Sequence, residues 1–191
     1  KQIEVCVLLV APVLVVFVLF IPIAVPLLFS SAFSHAVGMS TCAVFYIFFK
    51  ALTLPAGYLP LAAGHSKVYM SMEIVYDILL ALSVPLSYHL GGLQGIGWGL
   101  SVMGLIDLFM VHIVYRIKYG YVFRSTSPWV LFIQFVLLCT TVYAALCLPL
   151  MHRCIVGAVT IPLSLVLSVR LFNRETQLWN KIKGFFKIKA N

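Results

Sequence analysis

Apolar residues run along this chain in unbroken blocks, cut by short polar or glycine-rich punctuation. Neither the alternation of a half-buried strand nor the single stripe of a surface helix organises them. Six blocks stand out, at residues 5–29, 39–63, 68–90, 95–115, 129–151 and 154–172. Each has the roughly 17–25 residues that a helix needs to cross a hydrocarbon core about 30 Å thick. The connectors are short, for example Gly64-His65-Ser66-Lys67 and Gly91-Gly92-Leu93-Gln94, so neighbouring helices must run antiparallel. The pattern predicts an all-α, polytopic transmembrane bundle of about six spans over residues 1–172. A basic amphipathic tail follows over 173–191. There Leu178, Ile182, Phe185 and Phe186 share a stripe, Lys181, Lys183 and Lys187 lie off it, and the segment suits an anionic inner leaflet.

Composition removes the alternatives. Hydrophobic residues make up 63% of the 191 and charged residues only 9%, where a soluble domain carries about a quarter charged. With a mean hydropathy of +1.10, a soluble domain, a disordered region and a nucleic-acid-binding module are excluded despite the net charge of +8. The charge instead sets orientation. Lys1, Lys67, Arg116, Lys118, Arg124, Arg170, Arg174, Lys181, Lys183, Lys187 and Lys189 fall on the side holding the chain ends, and only Arg153 falls opposite. The positive-inside rule therefore predicts both ends in the cytoplasm. The chain begins at Lys1 with no signal-peptide pattern before the first block, which suggests a piece of a longer protein. The five cysteines have no paired or CxxC spacing, so packing residues are expected rather than a disulfide framework or metal site.

The chemistry is concentrated in the ionisable residues inside the blocks: Lys50, Glu73, Asp77 and Asp107. Each would cost at least about 2.5–3.5 kcal/mol if it faced lipid at mid-membrane, so they are expected on the bundle interior or a water-filled cavity. Lys50 lies roughly 16 Å into the second block, Asp77 roughly 14 Å into the third and Asp107 roughly 12 Å from the end of the fourth, at similar depths. Tyr46, Lys50, Thr53 and Gly57 form a polar stripe on one helix face, and Tyr69, Glu73 and Asp77 do so on the next. A buried ion pair that merely fixes helix register is the plain structural alternative. Such pairs contribute little stability, however, so several ionisable groups across three spans point to function. Two further stripes, Thr160–Ser164–Ser168 and Gln134–Thr141, are expected to be helix–helix contacts. Gly91, Gly95 and Gly99 predict a tight turn running into a close helix contact. An enzyme using Glu73 and Asp77 as acid and base, with His112 assisting, is less favoured, because Asp107 and His112 face apart and no catalytic motif occurs.

The stretch Lys50-Ala51-Leu52-Thr53-Leu54-Pro55-Ala56-Gly57-Tyr58, followed by Ala62-Ala63-Gly64-His65-Ser66-Lys67, resembles the K-A-x-x-x-P-x-G-Y…A-x-G-x-x-K pattern of bacterial oligosaccharide flippases. These form the polysaccharide-transporter branch of the multidrug/oligosaccharidyl-lipid/polysaccharide exporter superfamily. Leu27-Leu28-Phe29-Ser30-Ser31-Ala32-Phe33, Glu73, Gly91-Leu93-Gly95-Ile96-Gly97 and the exit Arg116-Ile117-Lys118-Tyr119-Gly120 agree with it, so the likeness extends to about Arg124. Two positions depart from it. Ala32 stands where the family often has an acidic residue, and Asp77 where a neutral polar one is expected.

The resemblance implies the C-terminal lobe of an alternating-access transporter in the bacterial inner membrane, working with an N-terminal lobe of the same chain. Its substrate would be a polyprenyl-diphosphate-linked oligosaccharide, as in O-antigen and other cell-surface polysaccharide synthesis. The polar stripes and depths make Lys50, Tyr46, Thr53, Glu73, Asp77 and Asp107 the expected substrate-cavity residues, with the role of Asp77 not carried over from the family. No cofactor and no enzymatic activity are implied, and a proton or sodium ion would be the coupling cation. A multidrug exporter of the same superfamily is the alternative, with the carboxylates dominating the site.

Overall fold

The computed structural model describes residues 2–30, 33–120 and 128–176. The apolar blocks become helices because hydrocarbon offers backbone N–H and C=O groups no partner, and a helix satisfies them within one segment. In chain order these are α1 (Gln2–Phe29), α2 (His35–Gly57), the short α3 (Leu59–Ala62), α4 (Ser66–Tyr119), α5 (Pro128–Cys147) and α6 (Leu150–Thr176), with no strand among the described residues. Five helical stretches among those residues are long and apolar enough to cross a membrane, with α2 and α3 taken together. The tail expected at the membrane surface lies outside the described residues from position 177 onward.

The expected third and fourth spans form one helical stretch of 54 residues, α4, with non-helical backbone at Gly91 (φ −146°, ψ 19°) and Gly92 (φ 58°, ψ −145°). The positive φ at Gly92 is one that residues with a Cβ rarely adopt. On a straight helix, Ser87 and Gly95 would lie about 12 Å apart. Instead, a Cβ on Gly95 would strike the Ser87 carbonyl, and one on Gly99 would strike the Ser87 hydroxyl. At the far end, His65 Nδ1 lies 3.2 Å from the Tyr119 hydroxyl. α4 is therefore a hairpin of two arms, 66–90 and 93–119, closed along a seam of small residues.

The hairpin packs on α2, which in turn packs on α1, and α1 also meets α5 and α6. The core joins Val7, Ala11, Leu14, Val15 and Val18 of α1 to Val44, Phe45 and Phe48 of α2 and Leu138 and Val142 of α5. Two glycines on the second arm admit α2 closely. A Cβ on Gly97 would strike the Met39 carbonyl, and one on Gly104 would come within 3.1 Å of the Tyr46 Cα. Ser101 adds a hydrogen bond, its hydroxyl donating to the Cys42 carbonyl at 2.7 Å.

Two polar features hold α5 to α6. Gln134 Nε2 donates to the Ser168 hydroxyl at 2.9 Å and the Ser164 carbonyl at 3.1 Å, while the Ser164 hydroxyl donates to Gln134 Oε1 at 2.7 Å. Of the stripes expected as helix–helix contacts, Gln134 thus meets Ser164 and Ser168, whereas the Thr141 hydroxyl donates to the Leu137 carbonyl of its own helix. The boundary between the two helices departs from expectation: the break falls at Leu148-Pro149 rather than after Met151. Proline supplies no donor to continue a helix and pushes the residue before it out of the helical region. Arg153 consequently sits in the first turns of α6, where its guanidinium donates back to the carbonyls of Ala145 and Leu148 at the end of α5. A cation there complements the negative end of the α5 dipole.

Candidate functional site

The helix through Lys50 stops at Tyr58, between Pro55 and Pro60, before α3 resumes. Proline removes a backbone donor, and a break in hydrocarbon leaves carbonyls that need other partners. The Gly57 carbonyl accepts a hydrogen bond from the Tyr115 hydroxyl at 3.0 Å, tying the end of α2 to the second arm of α4. That tie brings the lower half of α2 against Asp107, Val111 and Tyr115. A cavity of about 150 Å³ remains between them and the first arm, lined among others by Lys50, Thr53, Glu73 and Asp107.

Inside it, the Lys50 ammonium lies 3.0 Å from Asp107 Oδ2, and the Thr53 hydroxyl donates to the same oxygen at 2.9 Å. The ammonium also stands over the Tyr76 ring, 4.2 Å from its centroid, and 5.9 Å from the centroid of Tyr46. Both are within range of an attractive cation–π contact. The Lys50 side chain is 29% exposed, against 9% for Asp107. The carboxylate is the buried, fixed member of the pair, and the ammonium is the member that reaches open space.

Of the residues expected to share a cavity, Lys50, Thr53, Glu73 and Asp107 do so, each contributing to one wall. Tyr46 lies behind them as support for Lys50 rather than in the lining. Asp77 is not brought in. It is exposed and absent from the lining, because it follows Tyr76, and successive helical residues point about 100° apart. Tyr76 occupies the direction toward Lys50 instead. Sequence reasoning passed over Tyr76 and Tyr115, although Tyr69, Glu73 and Tyr76 recur at the spacing of one helix face. It also passed over Glu4, which precedes the first apolar block yet is buried at 2% exposure in α1.

Chemically, the arrangement presents a positive group at the inner end of a half-open cavity, held in place by a buried carboxylate and two aromatic faces. Its lining carries one cation, Lys50, and two carboxylates, Glu73 and Asp107, so Lys50 is the group an anion would meet and the carboxylates those a cation would meet. Among the described residues, no three of His, Cys, Asp and Glu converge as a metal site. No family model matches the chain, and no curated protein or solved structure does.

Proposed function

We propose that this chain is part of a membrane flippase that carries a polyprenyl-diphosphate-linked oligosaccharide from the cytoplasmic to the outer leaflet for cell-surface polysaccharide synthesis. The observation that carries the proposal is Lys50: a lysine midway along an apolar helix, whose ammonium opens into a cavity with Tyr76 and Asp107, itself bonded by Thr53, behind it. A diphosphate entering a membrane cavity needs fixed positive charge, and an ammonium offers three donors on a flexible stem. The resemblance around Lys50–Tyr58 and Ala62–Lys67 supports the same assignment. In this reading the α4 hairpin crosses the bilayer twice, giving six crossings with both ends in the cytoplasm. A second lobe of the same protein completes the transport path, and a proton or sodium ion supplies the coupling. The setting is the bacterial inner membrane.

One observation favours the multidrug-exporter alternative: Glu73 and Asp77 are both exposed on the first arm, where they would attract cations. Substitution at Lys50 separates the two. For a flippase, Lys50→Met abolishes movement of the lipid-linked sugar in reconstituted vesicles with protein yield unchanged, whereas Lys50→Arg keeps part of it because the charge survives. If Lys50→Met transports normally, or if neutralising Asp107 alongside it restores transport, Lys50 is only a structural partner. A cation exporter would instead lose activity on Glu73→Gln and tolerate Lys50→Met.

A further inference from the structure

The Lys50 cavity is also lined by an aromatic pair. Tyr58, at the break after α2, and Tyr69, on the first arm of α4, stand nearly parallel, with ring centroids 6.4 Å apart and planes 18° apart. Tyr58 is 56% exposed. Both rings line the same cavity as Glu73, whose carboxylate is also exposed, and Leu54 and Met72 add apolar surface beside them. An aromatic face next to a carboxylate on a mixed wall matches the surface of a pyranose ring. The C–H face of a sugar packs on an aromatic ring, and its rim of hydroxyls donates to carboxylate oxygens. The 6.4 Å spacing leaves no room for a ring between the tyrosines, so the exposed face of Tyr58 is the platform and Tyr69 its backing.

The depth order is informative. Lys50 precedes Tyr58 by eight residues on α2, about 12 Å along a helix axis. A deep cation and an outer aromatic platform at that separation suit a ligand with an anionic group joined to a sugar. Glu73 and the aromatic faces repel an anion, so the diphosphate is held at Lys50 alone and the outer wall is left to the neutral sugar.

We propose that Tyr58, Tyr69 and Glu73 form a subsite for one pyranose ring, the sugar adjoining the diphosphate of the lipid-linked substrate. This rests on the assignment of Lys50 as the diphosphate anchor. The exposed Tyr58 platform, backed by a nearly parallel Tyr69 beside a carboxylate, carries it. Tyrosine at a helix end also suits the aromatic belt of a membrane interface, but a belt residue has no reason to distinguish a glycosylated ligand from a bare one.

The test is binding to the protein in lipid nanodiscs of two probes: a short-chain prenyl diphosphate, and the same molecule with a hexose on its terminal phosphate. The wild-type protein should bind the hexose-bearing probe more tightly. Tyr58→Ala and Tyr69→Ala should each weaken that binding about three- to tenfold and leave the bare diphosphate unchanged. Tyr58→Trp should retain the preference, and Tyr58→Leu, which keeps bulk without an aromatic face, should lose it. Equal weakening of both probes by these substitutions, or none for the hexose-bearing one, overturns the subsite. Equal wild-type affinity for the two probes overturns the subsite while leaving the Lys50 anchor standing. Binding of neither probe removes the anchor and the subsite together.

Discussion

At the scale of single residues, Asp107 Oδ2 takes two bonds, from the Lys50 ammonium at 3.0 Å and the Thr53 hydroxyl at 2.9 Å. Asp107→Leu would take the carboxylate from a partly buried ammonium, while the Thr53 hydroxyl keeps the Lys50 carbonyl at 3.3 Å as an acceptor, and leaving a buried donor unpaired costs about 1–3 kcal/mol. The expected outcome is a lower Tm in detergent. Adding Lys50→Met to that background should recover most of the lost stability, because an apolar pair replaces a desolvated ion pair at little cost. Recovery of stability without recovery of transport would separate a substrate role for Lys50 from a register role. A double variant as unstable as Asp107→Leu alone would show that the two residues are not energetically coupled. Depth counting along helices sufficed to bring Lys50 and Asp107 to one level from the sequence, since the rise per residue is fixed. It could not tell Asp77 from Tyr76 as the residue facing Lys50. One step along a helix turns the side chain by about 100°, and the tilt of the first arm is set by glycine contacts distant from it.

Among the elements, the α4 hairpin offers the sharpest test, because its two seam glycines meet different atoms of one residue. A Cβ on Gly99 would strike the Ser87 side chain, whereas one on Gly95 would strike the Ser87 carbonyl. Both Gly95→Ala and Gly99→Ala should lower thermal stability. Adding Ser87→Gly should rescue Gly99→Ala and leave Gly95→Ala unrescued, since removing a side chain cannot move a backbone oxygen. Rescue of both, or of neither, would mean that the arms do not close on this seam. The hairpin was legible in the sequence because Gly91-Gly92 interrupts the apolar pattern and small residues recur every four positions after it. The turn between α5 and α6 was less so. His152, Arg153 and Cys154 look like a polar connector, but Pro149 decides the break, and the apolar residues around it hide the boundary from hydropathy.

For the molecule as a whole, the folding of α4 and the orientation of the bundle are linked. The contact of His65 with Tyr119 at 3.2 Å puts the start of the first arm and the end of the second at the same level. In the proposed orientation, Lys67 and Lys118 therefore lie on one side of the membrane, and the α5–α6 junction with Arg153 lies on the other. The uneven placement of Lys and Arg is the ground on which the cytoplasm is proposed as the first side. Cys147 and Cys154 at that junction are both exposed, so Cys154 in a Cys147→Ser background marks the side proposed as outer. In intact cells, a membrane-impermeant maleimide should label Cys154. In a background with the native cysteines replaced, Lys67→Cys and Lys118→Cys should label only after permeabilisation, and both alike. If α4 crossed the membrane once as a straight rod, positions 67 and 118 would label from opposite sides. If the bundle had the opposite orientation, both would label from outside and Cys154 would be protected. Joint protection of 67 and 118 with labelling of Cys154 is compatible only with a hairpin whose turn at Gly91-Gly92 faces outward, which would turn the cavity lined by Tyr58 and Tyr69 toward the cytoplasm, where the proposed flippase would take up its substrate.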